Sequence, residues 1–398
     1  MMAAIRAARA QHTVTLFEQS ADPGRKILLS GKGRCNLTNT CDLDAFLCRF
    51  SRSGPFLRNA FSCFFNRELM RFFETRGVAL KVERQGRVFP VSNSSAVILA
   101  ALTQELTLRK VKVRVNTRVA RVYVRDGTAG GIVLEDGTRI AAERVICAVG
   151  GLSYLRQGSA GRPWSIAAST GHTLRAPRPG LVGLRVAGKH PLGLAGLTLK
   201  NIRLKFGCEG RKLESPVGEL LFTHCGISGP LVFSYSGRVD DWLTAGRRVS
   251  VDIDLKPGLE AAKLDERLRR DIAASARRQV KSLLKELLPR RMIGAVLKAS
   301  GVDGSVQAGQ LSKKERASLV STLKRFTLPV SAAEGITRAM VTRGGVLLKE
   351  IDPRTMESRL VRGLYFAGEM IDVDADTGGF NLQAAFSTGY LAGQSAAS

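Results

Sequence analysis

The stretch GRKILLSGKGRCNLTN, Gly24 to Asn39, holds the densest chemistry in the chain. Glycines at 24, 31 and 33 let backbone N–H groups approach a ligand, and Arg25, Lys26, Lys32 and Arg34 add positive charge. That combination suits a pyrophosphate or the polar edge of a flavin. The same residues also make a basic surface loop with turn glycines, and Cys35 within it reads most simply as a small residue that lets backbone approach. A second group, His224 and Cys225 in FTHCGISGP, sits in a glycine-rich loop. An imidazole can donate a proton near neutral pH, and so can a perturbed thiol. The competing reading is a structural turn, preferred for Cys225. His12, His172 and His190 read as structural or exposed. The seven cysteines form no Cys-x-x-Cys pair and no zinc-ligand set, so no metal is expected and a reduced, cytoplasmic compartment is.

These groups need elements to position them. Val14 to Phe17 is a short strand ending on Glu18, and the Ala-rich Ala3 to Ala10 before it reads as the back half of a helix. Helix, turn, strand and terminal acid make the second half of a Rossmann βαβ unit, whose acid bonds a ribose hydroxyl. The glycine loop of such a unit lies roughly 20 residues before the acid, which counts back past Met1.

From Val111 the pattern becomes short strands, with turn signals at Asp126-Gly127 and Asp136-Gly137 that imply a three-stranded meander. It closes on the apolar run Val145 to Val149, typical of a buried parallel strand, and then Gly150-Gly151. From about Leu181 to Asp254 the sequence suggests a barrel or sandwich, and from Glu260 to about Phe326 it is helical and basic. GLYFAGEM then resumes an apolar strand, and GGFNLQAAFSTGYLAGQSAA reads as a helix with small residues along one face. The expected class is α/β, a Rossmann-like FAD-binding domain of the two-dinucleotide-binding-domain type carrying an insertion. Its expected segments are 1–180, an inserted β-rich domain 181–258, an inserted basic helical domain 259–340, and the return 341–398.

The chain carries 61 basic and 34 acidic residues, a net charge of +27. Between Ala261 and Val330 there are 16 Lys or Arg against 6 Asp or Glu. Part of this is ordinary helical surface, but the excess gives a polyanion partner even standing. No apolar run is long enough to span a bilayer, so no membrane partner is expected.

GRKILLSGKGRCNLTN, GELLFTHCGISGP and the long motif from Gly335 to Gly393 together resemble the BaiN/RdsA-type FAD-dependent oxidoreductases, in order from Ala3 to about Ala397. The resemblance aligns Met2-Ala3-Ala4 with the helix that follows the family's first strand and glycine loop, so that strand and loop are expected to be missing. It implies that Glu18 bonds the adenosine ribose, that Arg25 and Lys26 line the cofactor cleft, and that Gly33 and Asn36 approach the flavin or pyrophosphate. Val119 would meet the adenine by its backbone. Gly151 closes the return strand in the same site, and Gly368 and Glu369 lie beside the ribityl chain. Gly379, Asn381 and Leu382 start the last helix, whose N-terminal N–H groups and partial positive charge stabilise an anionic reduced flavin. After GGLSY the chain departs from the family pattern at Leu155 and Arg162-Pro163.

The resemblance further implies reduction of a carbon–carbon double bond by FAD, with NAD(P)H as a transient electron donor. Its best-supported role is dihydrouridine formation in large-subunit ribosomal RNA. His224, and less so Cys35, are the candidate catalytic groups. Arg269, Arg270, Arg277, Arg278, Arg290 and Arg291 are the candidate RNA contacts. Two rivals stand beside this reading: a small-molecule oxidase or ene-reductase acting on an amino ketone or enone, and a flavin-free ribosome-binding descendant.

Overall fold

The computed structural model describes residues 1–8, 12–50, 52–153, 162–188 and 193–398. Leu155 and His190 lie outside the described residues, as do the side chains of Arg162 and Pro163. The chain folds as two compact units, Met1–Gly180 with Ile336–Ser398, and Leu181–Gly335.

In the first unit the strand Thr15–Phe17 runs parallel to Lys112–Arg114, with Leu16 opposite Val113. The helix before it spans Met2–Ala7 and lies on the C-terminal helix Phe380–Ala396. Gly389 and Gly393, one turn apart, line that approach, and a Cβ on Gly393 would come within 2.3 Å of the Ala3 carbonyl oxygen. Small residues are what let these two backbones touch. A second parallel pair joins Val145–Cys147 to Leu364–Phe366. The latter strand is wholly buried, which explains its unbroken apolar run.

The meander is present as Val119–Arg125, Thr128–Leu134 and Arg139–Ala141, antiparallel in that order. Asp126 and Gly127 both take positive φ (47° and 71°), as a two-residue type I′ hairpin turn requires. A small antiparallel sheet of Thr38–Asn39, Arg87–Pro90 and Leu80–Glu83 anchors the far end of the Gly24–Asn39 stretch. Phe46 centres one part of the core, with the rings of Phe61, Phe65 and Phe380 edge-on at 5.1, 5.0 and 4.7 Å.

The second unit is a closed antiparallel barrel. Thr198–Cys208 pairs with Gly218–Phe222, which leads through Gly226–Ser228, Leu184–Val186 and Phe326–Ala333 to Val249–Asp254. Val249–Asp254 then pairs back onto Thr198–Cys208, closing the ring, and Arg211–Glu214 adds an outer strand. Side chains alternate as the pleat demands: Val249, Val251 and Ile253 point inward, as do Phe326, Leu328 and Val330. The helices Ala261–Ala274, Arg290–Ser300 and Lys313–Lys324 bury Leu264, Leu268, Met292, Val296, Leu319 and Leu323 in the same cluster. The β-rich stretch and the basic helical stretch thus share one core.

Candidate functional site

The Gly24–Asn39 stretch is a short helix, Arg25–Leu29, followed by a tightly coiled loop. Gly31, Lys32, Gly33 and Cys35 all have positive φ (57°, 59°, 83° and 57°), with Arg34 right-handed between the last two. Alternation of this kind can group backbone N–H donors into anion-binding concavities. Here, however, the Arg34 and Cys35 N–H groups donate within the loop, to the Gly31 and Ser30 carbonyls at 3.3 and 3.0 Å. Lys32 and Cys35 hold this backbone without being glycine, a local cost of about 1 kcal/mol or more each. Arg34 is already committed: its guanidinium lies 4.1 Å from the Phe89 ring centroid, pairs with Glu83 and donates to Asn93 Oδ1 at 3.0 Å. Arg25 and Lys32 are exposed.

Three of the expected residues converge from positions 26, 151 and 369. Lys26 Nζ pairs with Glu369 Oε2 and donates to Ser153 Oγ at 2.6 Å. Glu369 Oε1 accepts from the Thr342 backbone N–H at 2.6 Å and from Ser153 Oγ at 3.4 Å. Thr342 Oγ1 in turn accepts the N–H groups of Leu152 (2.7 Å) and Ser153 (3.0 Å). Gly151 packs against this cluster so closely that a Cβ there would lie 2.5 Å from Thr342 Oγ1. Ser153 and Thr342 were missed from sequence. Ser153 follows the glycine pair and could have been found from it, whereas Thr342 carries no local signal.

A second junction holds the start of the last helix. Gly379 is its N-cap at φ 98°, and a Cβ there would strike the Thr38 carbonyl oxygen at 2.4 Å. With its amide oriented to satisfy both partners, Asn36 accepts from Gly379 N–H at 3.1 Å and donates to the Thr38 carbonyl at 3.3 Å. No side chain caps the following N–H groups through an N-cap bond, so the helix end keeps its partial positive charge. The Asn381 amide is spent locally, bonding Ala375 in both directions (3.0 and 2.9 Å) and the Asp376 carbonyl at 3.3 Å. Leu382 packs against the core. These two side chains shape the helix start.

Glu18 ends its strand as expected. Its Oε1 accepts from Ser20 N–H (2.8 Å) and Ser20 Oγ (2.7 Å), while Oε2 makes no hydrogen bond among the described residues. The Glu18 carbonyl accepts from Thr117 N–H at 2.9 Å, two residues before Val119.

These residues fit a dinucleotide flavin. Gly33, Gly150 and Gly368 are left-handed, yet a Cβ on Gly33 or Gly368 would meet nothing closer than 3.9 and 3.8 Å, and on Gly150 nothing within 4 Å. Their backbones border open space, unlike Gly151 and Gly379. The same unit also holds a helix N-terminus, an ammonium paired with Glu369, and a strand-end carboxylate, groups whose chemistry suits phosphate, a flavin ring and ribose hydroxyls.

The two catalytic candidates differ in burial. Cys35 is wholly buried in the first unit and burial raises its thiol to about 11, so it stays a protonated packing group. This corrects the chemical role considered for it. His224 and Cys225 are exposed at the tip of the hairpin Gly218–Phe222/Gly226–Ser228 in the second unit. His172 is structural, buried between Thr170 Oγ1 (2.9 Å) and Ser358 Oγ (2.7 Å). Of the six arginines, Arg269 pairs with Asp265 at 2.8 Å and Arg291 donates to the carbonyls of Gly193 and Ala195. Arg270, Arg277, Arg278 and Arg290 are exposed.

A family model described as the HI0933-like protein Rossmann domain matches residues 1–395. The chain is 34% identical over 399 residues to the 3-dehydro-bile acid delta(4,6)-reductase of Clostridium scindens, covering 100% of this chain and 96% of that protein. It is 31% identical over 396 residues to the ribosomal RNA dihydrouridine synthase of Escherichia coli, covering 98% and 93%. Among solved structures, the 3-ketosteroid delta1-dehydrogenase of Sterolibacterium denitrificans shares the fold at a TM-score of 0.50 and 13% identity, covering 100% and 97%. Among the described residues no helix is long and apolar enough to cross a membrane. The match across the whole length, together with the glycine-lined cradle, places the chain in the HI0933-like Rossmann-domain family of FAD-dependent oxidoreductases.

Proposed function

We propose that this protein uses FAD and NAD(P)H to reduce the carbon–carbon double bond of uridine in large-subunit ribosomal RNA, giving dihydrouridine. One observation carries the choice of substrate: a net charge of +27, with a cluster of exposed arginines on the second unit. A polyanionic substrate is held by such a surface, whereas a small neutral one gains nothing from it.

FAD, when bound, supplies hydride transfer to an electron-poor double bond. The chain's own residues position and polarise. Lys26, fixed between Glu369 and Ser153, holds a cation at the cofactor loop. The N-terminus of Phe380–Ala396, clamped by Asn36, directs its partial charge into the same region. Glu18 accepts from a ribose hydroxyl through Oε2. His224 is the candidate proton donor to the second carbon, and the base must leave its stack to be reached.

A second reading, reduction of an enone in a small molecule, is favoured by the 34% identity to the bile acid reductase. RNA affinity measured at several salt concentrations separates the two. Replacing Arg270, Arg277, Arg278 and Arg290 by Gln should lower the slope of log K against log salt by about 3, at roughly 0.7–0.9 per phosphate contact. An unchanged slope removes RNA from this face and leaves the enone reading.

A further inference from the structure

The loop that follows the strand Val145–Cys147 is held from two sides by buried side chains, all within the first unit. Trp164, 2% exposed on the helix Arg162–Ala168, donates its indole N–H to the Gly150 carbonyl at 3.0 Å. Thr342, wholly buried on the strand Val341–Val346, accepts the Leu152 and Ser153 N–H groups at 2.7 and 3.0 Å. Between these anchors the N–H groups of Gly150 and Gly151 make no hydrogen bond among the described residues.

Thr342 reaches the second parallel strand as well. Its own N–H donates to Glu369 Oε1 at 2.6 Å, just past the end of Leu364–Phe366. One residue therefore ties together the C-terminal ends of two paired strands, the edge at which parallel sheets bind ligands. Its own strand is pinned in turn. Val341–Val346 pairs antiparallel with Leu174–Gly180, and a Cβ on Gly345 would lie 2.5 Å from the Met370 carbonyl oxygen. Trp164 belongs to the same core as Val145, Leu364 and Phe366. Packing fixes both side chains, so the loop is shaped before a ligand arrives.

We propose that Trp164 and Thr342 are positioning residues for FAD, presetting the Gly150–Ser153 backbone and the Lys26–Glu369 pair. The proposal rests on the reading of this unit as the FAD site, and it holds for either substrate. Trp164 acts through the Gly150 carbonyl, and Thr342 through two N–H groups and one carboxylate. The hydroxyl is the essential part of Thr342. Valine in its place has a similar shape but accepts nothing, leaving two amide donors unpaired.

Three variants test this by FAD affinity, the reduction potential of the bound flavin and the melting temperature of the FAD-free chain. Thr342→Val should weaken FAD about 10-fold or more and move the potential. Thr342→Ser restores the hydroxyl, and should stay within about threefold of the parent in affinity and keep its potential. Trp164→Phe keeps an aromatic ring in the core without the N–H, and should weaken FAD by about 3- to 10-fold. A purely structural role would lower melting temperatures while the folded chain kept its FAD affinity and potential, and that result overturns the proposal. Should Thr342→Val fail to fold, Trp164→Phe decides: an FAD dissociation constant equal to the parent's overturns the proposal. A parent chain that takes up no FAD would instead remove the cofactor reading, and this proposal with it.

Discussion

Gly151 and Glu369 lie in such close contact that a methyl group on the Gly151 Cα would sit 2.6 Å from the Glu369 carboxyl carbon. Glu369 cannot retreat without giving up Lys26, Ser153 or the Thr342 N–H. Gly151→Ala should therefore break at least one charge-assisted bond and weaken FAD binding about tenfold or more. Gly171→Ala, outside the cradle, is the control. Its φ of 83° costs roughly 1–2 kcal/mol of backbone strain, but its Cβ meets nothing within 4 Å. FAD dissociation constants and melting temperatures of the two variants check the contrast. Similar FAD affinities would remove Gly151 and Glu369 from the cofactor site.

Glu18 has one oxygen bound to Ser20 and one without a hydrogen bond among the described residues. Glu18→Ala should lose one charge-assisted ribose bond, about 1.5–3 kcal/mol, and so weaken FAD about 10- to 100-fold. Fluorescence quenching of FAD on titration with protein measures it. An unchanged constant excludes Glu18 from the site.

The sequence disclosed the elements better than their junctions. The meander, the strand ending on Glu18, the buried strand Leu364–Phe366 and the small-residue helix were each legible from periodicity and glycine placement. The closed barrel was narrowed only to a barrel or sandwich, because closure depends on Thr198–Cys208 pairing with Val249–Asp254 some 40 residues on. The site divides in the same way. Glycine motifs flagged Gly151, Gly368 and Gly379, but nothing local marks Thr342, whose hydroxyl joins the cluster only after the chain returns from the second unit. Asn381 shows the reverse: its place at the helix start was legible, yet its amide serves the preceding loop.

Cys35 should resist alkylation in the folded state, since burial raises its thiol to about 11 and leaves little thiolate at neutral pH. Cys48, Cys63 and Cys225 are exposed and should react first. Mass spectrometry after brief iodoacetamide treatment reads the order. Early labelling of Cys35 would contradict its placement.

His172 sets a pH dependence of stability. Burial lowers its folded pKa from the ordinary value of 6.5, and Glu350 only partly opposes this. Unfolded chains therefore take up a proton near pH 6.5 that the folded protein accepts only at lower pH. Stability should be level above that value from this group and fall as pH drops below it. Melting curves between pH 5 and 8 should show a shallower acid loss in His172→Asn than in the parent chain. Parallel curves would show that His172 does not titrate between the two states.

The central claim is tested most directly by incubating the purified flavoprotein and NAD(P)H, without oxygen, with unmodified large-subunit ribosomal RNA and, separately, with a 3-oxo-4-ene steroid. Mass spectrometry of the RNA nucleosides and of the steroid reads both products. The account predicts dihydrouridine in the RNA, lost when Lys26 and Glu369 are replaced together, and little steroid reduction. Steroid reduction with no dihydrouridine would contradict it.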